Sequence, residues 1–166
     1  MTLVRPENPG DVSAIRDVYA NSFASDAEAR LVELLRNAGH LTLSLVAEID
    51  GRVVGHVAFS PVSAESGTPG VGLAPVAVLS AYRRRGIAGE LVARGLETCA
   101  SLGFGWAVVL GNPEYYLRFG FRAAEEFGLV DEYGGGRAFM AIELVAGSLS
   151  VGAGLVRYGS EFASLV

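Results

Sequence analysis

The stretch from Gly72 to Gly89, Gly-Leu-Ala-Pro-Val-Ala-Val-Leu-Ser-Ala-Tyr-Arg-Arg-Arg-Gly-Ile-Ala-Gly, constrains the fold more than any other. Gly72 to Leu79 is one apolar run with Val76, Val78 and Leu79 as β-formers, so it predicts a buried strand. Pro75 lies inside that run. A proline has no N–H to give a ladder, so it marks a bulge or an edge. A bulge leaves main-chain groups unpaired, and buried main-chain groups need partners. A ligand with amides of its own would supply them. After Ser80-Ala81-Tyr82 come Arg83, Arg84 and Arg85, then Gly86, Ala88 and Gly89, where a helix begins. The start of a helix exposes unbonded N–H groups and the positive end of its dipole, which favours an anion. The small residues let a phosphate approach the backbone, and the three guanidinium forks match phosphate oxygens. Strand, bulge, arginines and glycines in this order predict a pyrophosphate cradle fed by a strand with free amides, rather than a solvated basic turn.

The chain before the cradle reads as one strand, two helices and a hairpin. Leu3 to Arg5 is a short strand stopped by Pro6. Asp11 is a candidate N-cap for an amphipathic helix over 12–23, with Val12, Ile15, Val18 and Tyr19 at helical spacing. A second helix runs from 26 to 38 with Ala27, Leu31, Leu34, Leu35 and Ala38 as its stripe, ended by Gly39. Glu28 and Glu33 fall off that stripe and read as a solvated face in preference to an acceptor-binding role. Leu41 to Ile49 and Arg52 to Ser60 are strands joined at Asp50-Gly51, a two-residue hairpin signal. Pro61 to Gly70 reads as a Ser/Gly/Pro-rich loop.

Beyond the cradle, residues 87–102 form a helix whose buried stripe includes Cys99, so the thiol belongs to the core. Phe104 to Leu110 is a short apolar strand, and two strands joined by a helical crossover are most simply parallel neighbours. Asn112 caps a brief helix opened by Pro113 and ended by Gly120. Phe121 begins another strand and Ala138 to Leu144 is the last clear one. Residues 145–166 read as an appended strand or arm, with Val156, Tyr158 and Phe162 available to pack.

Composition narrows the function classes. A chain of 166 residues, 51% hydrophobic and 19% charged, is one globular domain. All 13 basic residues are arginine, which removes P-loop, Schiff-base and general-base lysines. A single Cys and two His offer no disulfide and no metal-ligand cluster. The formal charge of −5 argues against nucleic acid, and no apolar run approaches membrane-spanning length. The N-terminus lacks a signal-peptide layout, so a cytoplasmic location is expected.

Two motifs carry a resemblance. Arg83-x-x-Gly86-x-Ala88 follows a strand and opens a helix, and Asn112 is followed by Tyr116-Leu-Arg-Phe-Gly120-Phe121. Together they resemble the GNAT superfamily of acyl-CoA-dependent N-acetyltransferases over roughly residues 3–144. The resemblance implies an α/β fold with a mixed, mostly antiparallel sheet and helices on both faces, opened by a bulge between the two central parallel strands. It divides the chain into an acetyltransferase domain at 1–144 and an extension at 145–166 packed on the same domain. It implies acetyl-CoA as co-substrate without a metal, and a small-molecule or peptide amine as acceptor. A homodimer is compatible with it. Val76 and Val78 would offer main-chain groups to the pantetheine, Arg83, Arg84, Arg85, Gly86, Ala88 and Gly89 would wrap the pyrophosphate, and Asn112 would touch the pantetheine.

Acyl transfer from a thioester to an amine sets three requirements. The amine must be neutral although a free alkylamine has a pKa of about 10.4. The oxyanion needs a donor, for which the Val76 N–H beside the bulge is the candidate. The thiolate needs a proton, and Tyr116, a protonated phenol at neutral pH, can give one. Many members of the superfamily carry a carboxylate on the strand before the cradle, where this chain has Ala74 and Pro75. His56, on a strand face of small neighbours with room for water or substrate, and Glu48 are the in-sheet alternatives for the base. The competing function is a non-catalytic acyl-CoA-binding regulatory or interaction module, and transfer of another acyl group is a third reading.

Overall fold

The computed structural model describes residues 1–65, 68–149 and 154–165. In chain order its elements are β1 (Thr2–Pro6), α1 (Val12–Ser22), α2 (Ala27–Ala38), β2 (Leu43–Ile49), β3 (Arg52–Val62), β4 (Gly70–Val78), α3 (Ile87–Ser101), β5 (Trp106–Leu110), α4 (Pro113–Tyr116), β6 (Arg122–Ala123), β7 (Leu129–Asp131), β8 (Phe139–Glu143) and β9 (Gly154–Val156). Seven strands form one sheet in the order β1-β2-β3-β4-β5-β8-β6. Every neighbouring pair in it is antiparallel except β4 and β5, which are parallel as a helical crossover through α3 requires. The expected mixed, mostly antiparallel α/β sheet is therefore present.

Local chemistry sets two of the element ends that the sequence marks. Gly39 closes α2 in the left-handed conformation (φ 75°), and Asp50 and Gly51 both take positive φ in the hairpin turn between β2 and β3. The expected loop at 61–70 is shorter than its composition suggested, because β3 runs on to Val62 and pairs with Gly70 at the start of β4. Residues 66 and 67 of that loop lie outside the described residues.

The sheet is covered on both faces. A Cβ on Gly55 of β3 would lie 3.2 Å from Leu91 of α3, and a Cβ on Gly95 of α3 would strike the ring of Phe59. These contacts put α3 on the face of Gly55, Val57 and Phe59. His56, one residue out of phase, reaches Tyr19 of α1, so α1 and α2 cover the other face.

The described part of 145–166 packs on that second face. β9 pairs in parallel with β7. Phe162, in the 3-10 turn that follows, is buried against Leu31 and Leu35 of α2. The ring of Tyr158 lies over Gly72, where a Cβ would come within 2.9 Å of it. No helix among the described residues is long and apolar enough to cross a membrane.

Candidate active site

The sheet opens where β4 leaves β5. Their pairing is confined to Gly70–Trp106, Val71–Ala107 and Gly72–Val108. On its other side β4 stays paired with β3 to Val78, but the register shifts between Val57 and Phe59, opposite Ala74 and Pro75. This is the bulge that Pro75 predicted. Leu79 N donates to Val54 O, which makes Ala77 and His56 a hydrogen-bonded pair in the alternation of an antiparallel ladder. The main-chain groups of Val76 and Val78 therefore face the open side.

The cleft leads into a concavity of about 220 Å³ at the start of α3, lined by Val78, Arg83, Arg84, Gly86, Ala88 and Gly89 together with Tyr82, Tyr115 and Arg118. Gly86 has φ 78° and nothing within 4 Å of where a Cβ would stand, so glycine serves both the conformation and the space there. Arg84 also takes a positive φ of 65°. The arginines divide their tasks. Arg83 Nε donates to Val78 O at 3.0 Å, which ties the loop to the end of β4. The Arg85 guanidinium lies 5.2 Å from the centre of the Tyr82 ring. Arg118, a residue the sequence motifs did not single out, lies over the Tyr115 ring at 4.4 Å and brings a further cation to the cradle. The i, i+3 spacing of Tyr115 and Arg118 on a helical turn was the available signal.

Tyr116 and Asn112 flank the far side of the cleft, just after β5. Asn112 caps α4, its Oδ1 accepting from Glu114 N at 3.0 Å. The Tyr116 ring packs edge-on against Tyr115 and Phe121 and lies against Gly111, where a Cβ would strike it. Burial pushes its phenol up to about 12. Cys99 is fully buried, as its place on the helix stripe predicted, and burial pushes its thiol up to about 12.

The two in-sheet base candidates are both engaged by other side chains. His56 was expected to face open room, but that room is filled. Its Nδ1 accepts from the Tyr19 hydroxyl at 2.7 Å and its Nε2 lies 2.7 Å from Ser44 Oγ. Ser44 gives its own proton to Glu7, so Nε2 carries the proton and donates to Ser44. The ring has no exposed surface, and burial, opposed in part by the Glu7 charge, holds its pKa down to about 3. Both nitrogens are engaged, and the imidazole is a neutral strut. Its Tyr19 partner also lies 3.1 Å from Pro75 O, so the strut reaches the bulge. Glu48 pairs with Arg5 at 3.1 Å, and Arg5 also holds Asp11 at 2.7 Å. Glu48 lies on β2, two strands from β4, and Arg5 on β1, one strand farther.

Glu28 corrects the sequence reading. Glu33 is on the surface, paired with Arg16 at 2.7 Å. Glu28, by contrast, stands three residues before Leu31 and seven before Leu35, both fully buried. It therefore occupies the inward stripe of α2. It is half-buried, and its Oε1 is shielded from solvent with no hydrogen-bond partner among the described residues. The signal is present in the sequence, but a stripe drawn through Ala27 and Leu34 is rotated by one position from the one the fold buries. Leu34 is exposed.

Among the described residues, no group of three or more His, Cys, Asp or Glu is placed to hold a metal ion.

Comparison with known proteins agrees with this geometry. The sequence model of the Acetyltransferase (GNAT) family matches residues 12–121. An uncharacterized N-acetyltransferase of Escherichia coli K12, YhbS, is 43% identical over 163 residues, which covers 96% of this chain and 98% of that protein. A crystal structure of the E. coli protein in complex with CoA superposes with a TM-score of 0.93 over 98% of this chain and 92% of that one. A GNAT family acetyltransferase from Brucella melitensis, solved with acetyl-CoA, is 35% identical with a TM-score of 0.82 over 98% of each chain.

Proposed function

The chain belongs to the Acetyltransferase (GNAT) family, and from that premise we propose that it transfers the acetyl group of acetyl-CoA to a primary amine by direct attack on the thioester. The observation that carries this reading is the continuity of the open β4 edge with the arginine-lined concavity at the start of α3. An extended arm bearing amides suits the first, and a pyrophosphate suits the second. The E. coli and Brucella relatives, solved with CoA and acetyl-CoA, support the same occupant here.

Roles follow from position. Val76 and Val78 pair with the pantetheine amides, and the Val76 N–H receives the oxyanion as the tetrahedral intermediate forms. The Arg83–Gly89 loop takes the pyrophosphate, with Arg84, Arg85 and Arg118 neutralising its charge. Asn112 keeps its NH₂ for the pantetheine, since its oxygen is used in the cap. A phenol raised to about 12 is fully protonated at neutral pH, which is the state that lets Tyr116 give its proton to the departing thiolate. The acceptor is a small-molecule or peptide amine.

The test is release of free thiol when acetyl-CoA is mixed with the protein and a panel of primary amines, with the acetylated amine identified by mass. Thiol release that depends on an amine supports transfer. Tight CoA binding with no amine-dependent release across the panel would instead favour a non-catalytic CoA-binding module.

A further inference from the structure

An amine that attacks a thioester must first lose a proton, and β4 offers no carboxylate at the bulge, where Ala74 and Pro75 stand. Several carboxylates on the α1/α2 side of the sheet are held by arginines. Glu7 holds Arg36 through two hydrogen bonds of 3.0 Å. Asp11 and Glu48 share Arg5, and Glu33 holds Arg16. Glu28 differs. It sits in the inward stripe of α2, and its Oε1 is withdrawn from water with no hydrogen-bond partner among the described residues. Leaving a polar atom so is unfavourable unless something else satisfies it.

Its place relative to the bulge follows from its neighbours. Leu31, one turn along the same stripe, belongs to the cluster that contains Ala74, Tyr133, Tyr158 and Phe162. The Glu28 charge bears on the Tyr19 hydroxyl, which lies 3.1 Å from Pro75 O. Both neighbours put this end of α2 on the side of the sheet that carries Ala74 and Pro75. The cluster that holds Leu31, one turn from Glu28, also brings three rings together, with Tyr158 centred 6.0 Å from Tyr133 and 5.0 Å from Phe162. Two of those rings come from the C-terminal segment. A carboxylate beside aromatic faces is a site for an organic cation with an apolar stem.

We propose that Glu28 binds the acceptor's ammonium and removes its proton, and that the acceptor is a primary alkylammonium whose stem lies against Tyr133, Tyr158 and Phe162. This rests on the acetyl-transfer reading. The ammonium gives one proton to the Glu28 carboxylate, and the neutral nitrogen bonds to the thioester carbon. As the C–S bond breaks, Tyr116 protonates the sulfur. The second proton of the attacking nitrogen restores the phenol through water, and Glu28 returns its proton to solvent. The products are an amide, free CoA thiol and one released proton.

The experiment compares wild type and Glu28→Gln with 2-phenylethylamine and the same-shaped but much less basic 2,2-difluoro-2-phenylethylamine. Calorimetry of 2-phenylethylamine into the CoA-loaded protein should show binding that Glu28→Gln weakens at least about tenfold, with CoA affinity and thermal midpoint unchanged. In turnover, Glu28→Gln should lower kcat/KM for the basic amine by about 10²- to 10⁴-fold, the usual range for a general base, and much less for the fluorinated one. A variant that handles both amines as wild type does, or a wild-type protein that binds neither, overturns the proposal. Binding that depends on Glu28 without any thiol release would overturn acetyl transfer and leave the amine site standing.

Discussion

Tyr115 and Tyr116 are chain neighbours with different surroundings. Tyr115 lines the cradle beneath the Arg118 guanidinium, whereas Tyr116 is buried against Gly111 and Phe121 at the mouth of the cleft. Spacing to Gly120-Phe121 singles out Tyr116, while burial raises the phenols of both tyrosines, so protonation alone does not separate them. Tyr116→Phe keeps the ring and removes the proton. It should lower kcat by about 10²- to 10⁴-fold with CoA affinity unchanged, and Tyr115→Phe should leave kcat near wild type. Steady-state thiol release beside calorimetric CoA titration decides this, and the reverse pattern would assign the acid to Tyr115. His56 shows where residue-level reading stops. Its strand neighbours Val54, Ala58 and Ser60 are small, which predicted open room. The room is filled by Tyr19, 37 positions away in sequence, and no local pattern shows which distant side chain will occupy a gap.

The cradle was legible at the scale of the element because its determinants are contiguous. A proline in an apolar run, arginines in a turn and glycines at a helix start each act within a few residues of where they stand. The structure places the bulge opposite Ala74 and Pro75 and the left-handed glycine at Gly86. Gly86→Glu should remove CoA binding, since the new side chain would project into open space, carry a negative charge and sit on a backbone of positive φ. Gly86→Ala brings only the conformational cost, about 1–2 kcal/mol, and should bind CoA more weakly without losing it. Equal calorimetric affinity of wild type for CoA and for bare pantetheine would overturn the assignment of this loop to the pyrophosphate. The face of α2 was less legible. Over three turns, a stripe that includes Ala27 and Leu34 and one that includes Glu28 and Val32 share Leu31 and Leu35. Only the sheet and the C-terminal segment on the other side decide between them.

At the scale of the whole molecule, the sheet is braced by a polar chain that sequence could not show, because its members come from five separate places. Arg36 holds Glu7, Glu7 accepts from Ser44, Ser44 accepts from His56, and His56 accepts from Tyr19 beside the Pro75 carbonyl. This chain makes stability depend on pH in a definite direction. The His56 imidazole is held down to about 3 in the folded protein, against about 6.5 when unfolded. Between those values the unfolded chain binds a proton that the folded one refuses, so stability falls as pH falls from about 6.5 towards 3. At about 1.4 kcal/mol per pH unit below 6.5, the step from pH 7 to pH 5 should cost about 2 kcal/mol. Glu7 and Asp11 are both held below the usual carboxylate range by their arginine partners, against the opposing pull of burial. Their contribution is present above the unfolded carboxylate pKa and is lost as pH falls through their lower folded values, so it changes little across this window. Urea unfolding at the two pH values should show the drop in wild type. His56→Gln, which keeps a neutral hydrogen-bonding side chain and cannot take up the proton, should be less stable at pH 7 but lose little on going to pH 5. An equal drop in both proteins would mean that the loss arises elsewhere and that His56 is not held neutral by the fold.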